Sequence, residues 1–382
     1  MRLPRLLFLV TEDWYFVSHR LPMARAAQAA GFEVHVVTRV DRHGPQIEAE
    51  GFHLHPLSWR RGSANPAGFL LAIYRIRALY KELAPDIVHH VAMQPSIMGS
   101  LAALGLPLAR LNAVAGFGFA FTSKTLRARL VRTALSRLIR GLFNRPGSIL
   151  LVQNVDDRAD AIGLGLDPDR IALIPGSGVD VDQLAPLPEP DGPVTVAFVG
   201  RLLADKGLHT LMAAHELLLR RGRPIRLLLA GEPDPANPAS IPPATIDAWR
   251  QRSDVVVLGH VGDIRTVWAA AHIAVLPSRR EGLPKSLLEA AACGRPLVAT
   301  NVTGCREIAR DGINAILVPV DDAPVLADAI DRLAGDPEIR RRYGAQSRRL
   351  AETEFSSARI GREIVALYQR LLGSYRSGYP PP

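Results

Sequence analysis

Short apolar runs alternate along this chain with helical stretches of roughly ten to fifteen residues. That rhythm is typical of βαβ units, in which helices connect the strands of a parallel sheet. Most of the runs lack polar alternation, as strands that are covered on both faces do. The pattern predicts strands at Leu6–Val10, Val34–Thr38, Ile87–His90, Leu111–Ala115, Ile149–Gln153, Val194–Val199, Ile225–Ala230, Val255–Leu258, Ile273–Leu276, Pro296–Thr300 and Ile316–Val318.

A proline-rich segment, Leu184–Pro193, divides the chain into two halves. Its four prolines exclude a helix interior and favour an extended connector. Each half is long enough for one doubly wound α/β sheet, and such sheets bind ligands at the carboxyl ends of their strands. We therefore predict two Rossmann-like domains that face each other across a cleft. The predicted bounds are 1–188 and 189–355 for the domains, 356–373 for a C-terminal helix and 374–382 for a tail.

The uncharged stretch Val91–Ala109 is long enough to be a candidate for a membrane-spanning helix. Pro95, Gly99 and Gly105 interrupt it, which favours a buried helix of an α/β domain. The first apolar run, Leu6–Val10, is too short for the core of a signal peptide. We therefore expect neither a membrane span nor export.

The chain has a formal net charge of +9. Such an excess indicates an anionic partner, namely a nucleic acid, a membrane surface or a phosphorylated small molecule. No zinc-finger, RNP-like or basic-zipper pattern accompanies the charge, and aromatic residues make up only 6% of the chain, so a nucleic-acid partner is not expected. Neither Cys293 nor Cys305 belongs to a metal-binding pattern, so we predict no metal site and no disulfide framework.

Two basic residues stand near the start of the second half. A predicted strand runs into Gly200-Arg201, and Lys206-Gly207 follows just before a helical stretch. Two cations at this spacing, at the carboxyl edge of a sheet, are suited to a diphosphate, and glycines permit close approach of the backbone. A solvated arginine and a lysine at a helix start would explain the same pattern.

A second block, residues 276–300, reads as a strand end, a loop, a helix and the next strand. Glu281 lies in the loop, Gly282-Leu283-Pro284 lead into the helix, and Glu289 lies two turns along it. The free N–H groups and the dipole at the helix start favour a phosphate. Glu281 is suited to accept hydrogen bonds from sugar hydroxyls and Glu289 from a ribose diol, but a charged loop followed by a surface glutamate fits the same residues.

Glu281, seven intervening residues and Glu289 resemble the ExxxxxxxE motif of retaining glycosyltransferases with two facing Rossmann-like domains, the GT-B fold. This large group includes bacterial mannosyltransferases and lipopolysaccharide glucosyltransferases. The basic pair is similar to the family's diphosphate-binding pair, and Val302–Glu307 and Asp311–Pro319 resemble further loops on its donor side. The resemblance covers nearly all of Val194–Leu333, and it implies that the C-terminal helix crosses back to the first domain.

The resemblance implies roles for these residues. Arg201 and Lys206 bind the donor's diphosphate and stabilise the leaving group, Glu281 holds the transferred sugar near its C3 and C4 hydroxyls, and Glu289 holds the ribose. Family members retain the anomeric configuration by front-face attack, without a metal. We expect a nucleotide-diphosphate sugar, UDP-linked, as donor and no cofactor. The predicted donor-binding residues are Gly200, Arg201, Lys206, Glu281, Gly282, Leu283, Pro284 and Glu289, of which Arg201, Lys206 and Glu281 are the catalytic candidates.

The first half resembles the family less fully. Val10–Arg25 looks like the opening of bacterial enzymes that extend polysaccharides or lipid-linked oligosaccharides, but it lacks the glycine pair that many relatives carry after the first strand. A helix start at a domain edge would also explain His19-Arg20. The acceptor-side contacts predicted here are Asp13, Trp14, His19 and Arg20.

Leu111–Phe121 is similar in style to the segment in which many relatives place a histidine before a glycine, close to the reacting sugar. This chain has Ala115 at that point, so no histidine-assisted role is carried over. Gly116 and Gly118 remain acceptor-side candidates only as positions of close backbone approach.

Residues 122–145 contain seven basic residues and no acidic one, and their apolar residues recur at steps of three and four. This pattern is typical of an interfacial helix on an anionic leaflet. A core-packed helix with a solvated basic face would also fit. Relatives that glycosylate lipid-linked acceptors carry a basic amphipathic element in the first domain, so we predict membrane docking here. The docking residues predicted are Lys124, Arg127, Arg132 and Arg140.

The resemblance and the residues together predict a retaining hexosyltransferase. Its partners would be a nucleotide sugar, a lipid-linked saccharide acceptor and an anionic membrane surface, in the assembly of a cell-surface polysaccharide or glycan. It would be cytoplasmic and peripherally associated with the inner face of the cell membrane. Two alternatives stay open: a sugar-nucleotide epimerase of the same architecture, and a non-catalytic nucleotide-sugar-binding protein.

Overall fold

The computed structural model describes residues 2–58, 66–114, 126–235 and 237–376, and it describes all of their side chains except those of residues 66, 126–132 and 374–376. The chain divides into two compact units. The first comprises Met1–Ser177 together with Ala358–Pro382, and the second comprises Gly178–Ser357.

The division between the units falls between residues 177 and 178, earlier than the boundary predicted after residue 188. Packing explains the difference, because Val179 and Leu184 are buried in the core of the second unit. The Arg348 guanidinium also donates to the Leu184 carbonyl oxygen at 2.7 Å. The prolines that follow exclude regular structure, as predicted, but they come after the chain has already joined the second core.

The first unit is built on a parallel sheet with strand order β3-β2-β1-β4-β5-β6-β7. Its central strands β4, β5 and β6 are buried along their whole length, and their few polar side chains are buried with them. The strands are β1 (Arg5–Glu12), β2 (Glu33–Arg39), β3 (His53–Pro56), β4 (Ile87–Val91), β5 (Ala109–Ala113), β6 (Ser148–Val152) and β7 (Ile171–Leu173). The helices are α1 (Asp13–His19), α2 (Leu21–Ala29), α3 (Gly44–Ala49), α4 (Pro66–Leu83), α5 (Met93–Ala102), α6 (Leu126–Phe143) and α7 (Val155–Gly163).

The second unit repeats this plan with the parallel order β10-β9-β8-β11-β12-β13. Its strands are β8 (Thr195–Val199), β9 (Arg226–Ala230), β10 (Val255–Gly259), β11 (Ile273–Leu276), β12 (Leu297–Thr300) and β13 (Ala315–Val318). Its helices are α8 (Leu208–Arg220), α9 (Pro243–Arg250), α10 (Ile264–Ala269), α11 (Lys285–Ala292), α12 (Thr303–Ile308), α13 (Ala323–Gly335) and α14 (Pro337–Thr353). The predicted α/β class is therefore confirmed in both units.

The last helix, α15 (Ser357–Arg376), packs into the core of the first unit. Ile360, Ile364 and Leu371 are buried there. The Tyr368 hydroxyl hydrogen-bonds Nδ1 of the buried His89 at 2.6 Å. The chain thus returns to the first unit at its end, as the predicted crossing requires.

The stretch considered as a membrane span forms α5, a ten-residue helix that is largely buried in the first unit. Among the helices of the described ranges, none is both long and apolar enough to cross a membrane.

The basic segment forms α6, and the described part of its apolar face is packed inside the protein. Ile139, Leu142 and Phe143 are buried in a core cluster that also contains residues of α5 and β6. Arg137 and Arg140 are exposed. These three side chains fit the core-packed alternative, and membrane docking by the basic face stays a prediction. Leu138, which is 39% exposed, and the outward basic side chains remain available to a partner.

Candidate active site

Each sheet has one point at which the strand order changes direction. In the first unit it lies between β1 and β4, and in the second between β8 and β11. Within each pair, the loops that leave the two strands diverge to opposite faces of the sheet. This opens a crevice at the carboxyl ends of the pair, where doubly wound proteins bind ligands. The donor-side candidates follow β8 and β11, and the acceptor-side candidates Asp13 to Arg20 follow β1.

A glycine brings the β8 loop against the end of β11. Ala204–Lys206 form a short 3₁₀ turn, and Gly207 then adopts a left-handed conformation with φ of 75°. A Cβ atom at residue 207 would lie 2.0 Å from the Pro277 carbonyl oxygen. Only glycine therefore allows this close packing, and the packing brings Lys206 next to the loop that contains Glu281.

The two predicted cations each pair with a carboxylate. Lys206 Nζ lies 2.5 Å from Glu281 Oε1, with 22% of the lysine side chain and 10% of the glutamate side chain exposed. Arg201 Nη1 lies 2.6 Å from Asp234 Oδ2. The structure thus brings Lys206 and Glu281 together at the switch point of the second unit.

A second glycine fixes the Glu281 backbone from behind. A Cβ atom at Gly304 would lie 2.4 Å from the Gly282 carbonyl oxygen and 2.5 Å from that of Glu281. The next residue, Cys305, is fully buried, and burial raises the pKa of its thiol to about 12. Cys305 is thus a neutral packing residue behind the ion pair.

The helix that carries Glu289 begins later than predicted. Pro284 has φ of −75° and ψ of 113°, so it is an extended cap, and α11 starts at Lys285. Glu289 therefore lies about one turn along the helix instead of two. Its Oε1 is 3.4 Å from Lys285 Nζ. Burial raises the pKa of Glu289, and the nearby Lys285 opposes the shift.

The sequence prediction missed three charged neighbours of this site. Asp234, in the loop after β9, pairs with Arg201. The Arg280 guanidinium is 3.6 Å from Asp205 Oδ2, which joins the β8 and β11 loops. Their signal in the sequence is weak, because isolated charged residues in loops show no periodicity. A search for carboxylates directly after strand ends would have found Asp234.

The acceptor-side candidates Asp13 to Arg20 lie on or next to α1 and differ in exposure. Asp13 is fully buried, and its Oδ2 accepts hydrogen bonds from the backbone N–H groups of Asp41 (2.7 Å) and His43 (2.9 Å), so it holds that loop in place. Trp14 and His19 are partly exposed. Arg20 is 3% exposed, and its Nε has no hydrogen-bond partner among the described residues.

Several predicted residues lie outside the described part of the chain. They are Gly116, Gly118 and Lys124, together with the side chains of Arg127 and Arg132. Arg140 is described and exposed on α6.

Comparisons with known proteins agree with this architecture. The family model for glycosyl transferases group 1 matches residues 193–336, and the model for glycosyl transferase 4-like proteins matches residues 5–152. The chain is 30% identical to the capsular polysaccharide biosynthesis glycosyltransferase CapM of Staphylococcus aureus. That match covers 46% of each chain, so the chain spans about half the length of this relative.

Other relatives match over nearly the whole chain. The N,N'-diacetylbacillosaminyl-diphospho-undecaprenol alpha-1,3-N-acetylgalactosaminyltransferase of Campylobacter jejuni is 24% identical, over 92% of this chain and 95% of its own. Anabaena HepE, solved in complex with UDP and glucose, superimposes with a TM-score of 0.76 at 16% identity, over 95% of this chain and 99% of its own. Both family models match, one in each half of the chain, and the fold is shared. The chain therefore belongs to the glycosyltransferase family that these two models describe, group 1 and 4-like, with the GT-B fold.

Proposed function

We propose that the protein transfers a sugar from a nucleoside-diphosphate sugar, UDP-linked, to a lipid-linked saccharide, with retention of the anomeric configuration. The observation that carries this proposal is the Lys206–Glu281 pair at the switch point between β8 and β11. In this proposal Lys206 binds the diphosphate and Glu281 binds the sugar, and the 2.5 Å between Lys206 Nζ and Glu281 Oε1 supports a single site for both. A diphosphate bound there would have its sugar next to Glu281.

In this proposal, stabilisation of the negative charge on the leaving group makes the main contribution to catalysis. The Lys206 ammonium has three N–H donors, so it can hold Glu281 and a phosphate oxygen at once. The Arg201 guanidinium can exchange Asp234 for a bidentate contact to the diphosphate. A cationic side chain placed against the negative charge of the departing phosphate lowers the activation barrier of the transfer by about 3 kcal/mol per well-placed donor, as at other oxyanion sites. These two side chains supply the role that a metal has elsewhere, and the proposal includes no cofactor.

Glu281 and Glu289 orient the donor. Glu281 accepts hydrogen bonds from the C3 and C4 hydroxyls of the sugar, and Glu289 accepts them from the ribose. Retention follows from front-face attack: the acceptor hydroxyl attacks the anomeric carbon on the side of the departing phosphate, and a phosphate oxygen takes its proton.

The proposed acceptor is a saccharide linked to a polyprenyl diphosphate in an anionic membrane. The name of the Campylobacter relative specifies an undecaprenyl-diphosphate acceptor for that protein. On this chain, the exposed Arg137 and Arg140 of α6 favour an anionic surface. Leu70 and Tyr74 are exposed on α4, which packs beside α5, as α6 does. Exposed apolar and basic side chains on one helical layer suit the membrane interface.

The donor reaction is tested with the purified full-length chain, a panel of nucleotide sugars and a lipid-linked acceptor extract, by measuring release of nucleoside diphosphate. The Lys206→Ala variant should lower kcat by roughly 100- to 1000-fold. Exposed Lys81, in the first unit, is the matched control, and Lys81→Ala should keep full activity. Product linkage determined by NMR tests retention. Conversion of a nucleotide sugar to its epimer without acceptor would overturn the proposal in favour of an epimerase, and binding without any release would favour a sensor.

Membrane docking is tested separately, by sedimentation with vesicles that contain anionic phospholipid. Arg137→Glu/Arg140→Glu should lower the bound fraction, with at least a tenfold loss in partitioning at roughly 1 kcal/mol per charge. Arg220→Glu/Arg250→Glu makes the same change in net charge at exposed positions of the second unit. If both variants lost the same fraction of vesicle binding, the net charge of the protein would explain the loss, and docking through α6 would be contradicted.

A further inference from the structure

Four side chains gather at the amino ends of the first strands of the first unit, away from the carboxyl ends where the candidate active site lies. The parallel register places Arg5 of β1 beside Glu33 of β2, and His35 of β2 beside His53 of β3. Glu33 and His35 are two residues apart on one strand, so their side chains share a face of the sheet. The register therefore places a carboxylate and two imidazoles together.

The distances within this cluster match a metal coordination sphere. Glu33 Oε1 lies 3.1 Å from His35 Nε2 and 3.6 Å from His53 Nε2. The three ligand atoms all lie within 4.8 Å of one another. Zinc bonds to imidazole nitrogen and carboxylate oxygen of about 2.0–2.2 Å imply separations of about 3.4 Å between tetrahedral ligands. The two measured separations lie on either side of that value.

Neighbouring groups orient two of these ligands. His35 Nδ1 and His55 Nε2 share a hydrogen bond of 3.0 Å, which leaves Nε2 of His35 free to face Glu33. Arg5 Nε donates to the other oxygen of Glu33 at 3.0 Å, which directs Oε1 into the cluster. Histidine ligands in metal sites characteristically donate their second ring N–H to such a partner.

Solvent reaches the cluster from one side. The His53 side chain is 57% exposed and that of His35 is 6% exposed. An ion can therefore enter beside His53, and a water molecule can occupy a fourth position.

We propose that Glu33, His35 and His53 form a site for a divalent transition-metal ion, Zn²⁺ in particular, with His55 as a positioning residue. Two imidazoles and one carboxylate suit Zn²⁺ better than Mg²⁺ or Ca²⁺, which prefer oxygen ligands. The site is structural, because it joins the short edge strand β3 to β2 at the end of the sheet opposite the candidate active site. Local spacing alone does not predict it, since His53 meets Glu33 and His35 only through the pairing of β2 with β3.

The test uses the full-length protein after treatment with a chelator. Titration calorimetry with Zn²⁺ should give one ion per chain, and Co²⁺ should give the visible absorption of a tetrahedral site. His53→Ala is the main variant, because the side chain is exposed and its loss does not disturb the core. His55→Ala removes an outer partner and should lower the affinity for Zn²⁺ by roughly 10- to 100-fold. His53→Ala removes a ligand and should lower the affinity by more than that.

His260→Ala, at an exposed histidine in the second unit, is the matched control and should bind Zn²⁺ like the wild type. Zn²⁺ should also raise the Tm of the wild type and the control but not that of His53→Ala, while metal-free melting of all three should agree. Unchanged stoichiometry and affinity in His53→Ala, or no binding by the wild type, would overturn the proposal.

Discussion

Glu281 is fixed in position by its side chain and by its backbone. Its carboxylate pairs with Lys206, and its carbonyl oxygen lies against Gly304, where there is no room for a Cβ atom. One contact comes from the segment after β8 and the other from α12, so the position of Glu281 depends on how these parts of the second unit pack against its loop.

Gly304→Ala tests this dependence. The added methyl group would overlap the 281–282 backbone, so we expect a displaced Glu281, a cost of about 1–3 kcal/mol in unfolding free energy and lower kcat/KM for the donor. Gly262→Ala is the control, because a Cβ atom there meets nothing within 4 Å. Steady-state kinetics and thermal unfolding measure the two effects. Full activity in Gly304→Ala would show that the loop position is not critical.

Glu289 gives a pH-dependent contribution to stability. Burial raises its pKa in the folded protein above the ordinary value near 4.5. The folded state therefore holds this proton more tightly than the unfolded state, and stability is lost as the pH rises from about 4.5 through the raised pKa.

Glu289→Gln removes this titration while keeping the shape of the side chain. We expect the Tm of the variant minus the Tm of the wild type to increase as the pH rises above 4.5, and to become constant above the raised pKa. Donor affinity should fall, since the amide is a poorer acceptor for a ribose diol. Thermal melts across pH, with exposed Glu48→Gln as control, measure the effect. A constant difference in Tm at every pH would contradict it.

At the scale of elements, the turn from β4 into α5 contains backbone strain. Ala92 has φ of 78° and ψ of 164°, a region that is essentially restricted to glycine. Hydrogen bonds hold it there: its N–H donates to the Ala113 carbonyl oxygen at 2.8 Å, and its own carbonyl accepts from the Ser96 N–H at 3.0 Å. The strained residue lies at the carboxyl end of β4, at the switch point of the first unit.

Ala92→Gly should relieve this strain. Relief of about 1–3 kcal/mol, reduced by about 0.5–1 kcal/mol for the extra entropy of glycine in the unfolded chain, predicts a net gain of roughly 1 kcal/mol in unfolding free energy. Ala103→Gly is the control, since Ala103 has an ordinary φ of −79° and should lose stability. Denaturant unfolding measures both. A loss of stability in Ala92→Gly would contradict the assignment of strain.

The sequence predicted the interior strands well because burial on both faces leaves unbroken apolar runs. It missed β3 and β7, the edge strands of the first sheet. β3 contains His53, His55 and Pro56, which break its apolar pattern, and β7 is apolar but has only three residues, too few to be recognised as a strand. In the site, the Glu281–Glu289 spacing was readable because both residues belong to one loop and helix. The Arg201–Asp234 pair was not, because it depends on how two separate loops fold.

At the scale of the whole molecule, the first unit depends on residues that are distant in sequence, whereas the second is one continuous stretch. The first unit is completed by α15, whose buried residues follow the entire second unit along the chain. Tyr368 provides the hydrogen bond to Nδ1 of buried His89, so the helix contributes a polar contact as well as apolar surface.

Truncation after residue 357 should therefore unfold the first unit selectively. The chain would lose five buried side chains, worth about 1.5–3 kcal/mol each, which is comparable to the 5–15 kcal/mol net stability of a typical domain. These residues are Ile360, Ile364, Leu367, Tyr368 and Leu371. The second unit, Gly178–Ser357, keeps all its strands in the truncated chain.

Hydrogen exchange distinguishes the two outcomes. We expect loss of protection in β1, β4 and β5 of the truncated chain, with protection retained in β8, β9 and β11. The milder variant Tyr368→Phe leaves His89 without its partner and should destabilise the first unit by about 1–3 kcal/mol while leaving exchange in the second unchanged. If β8 and β11 lost protection to the same extent as β1 and β4, the two units would unfold as one, and α15 would stabilise the whole molecule instead of the first unit alone.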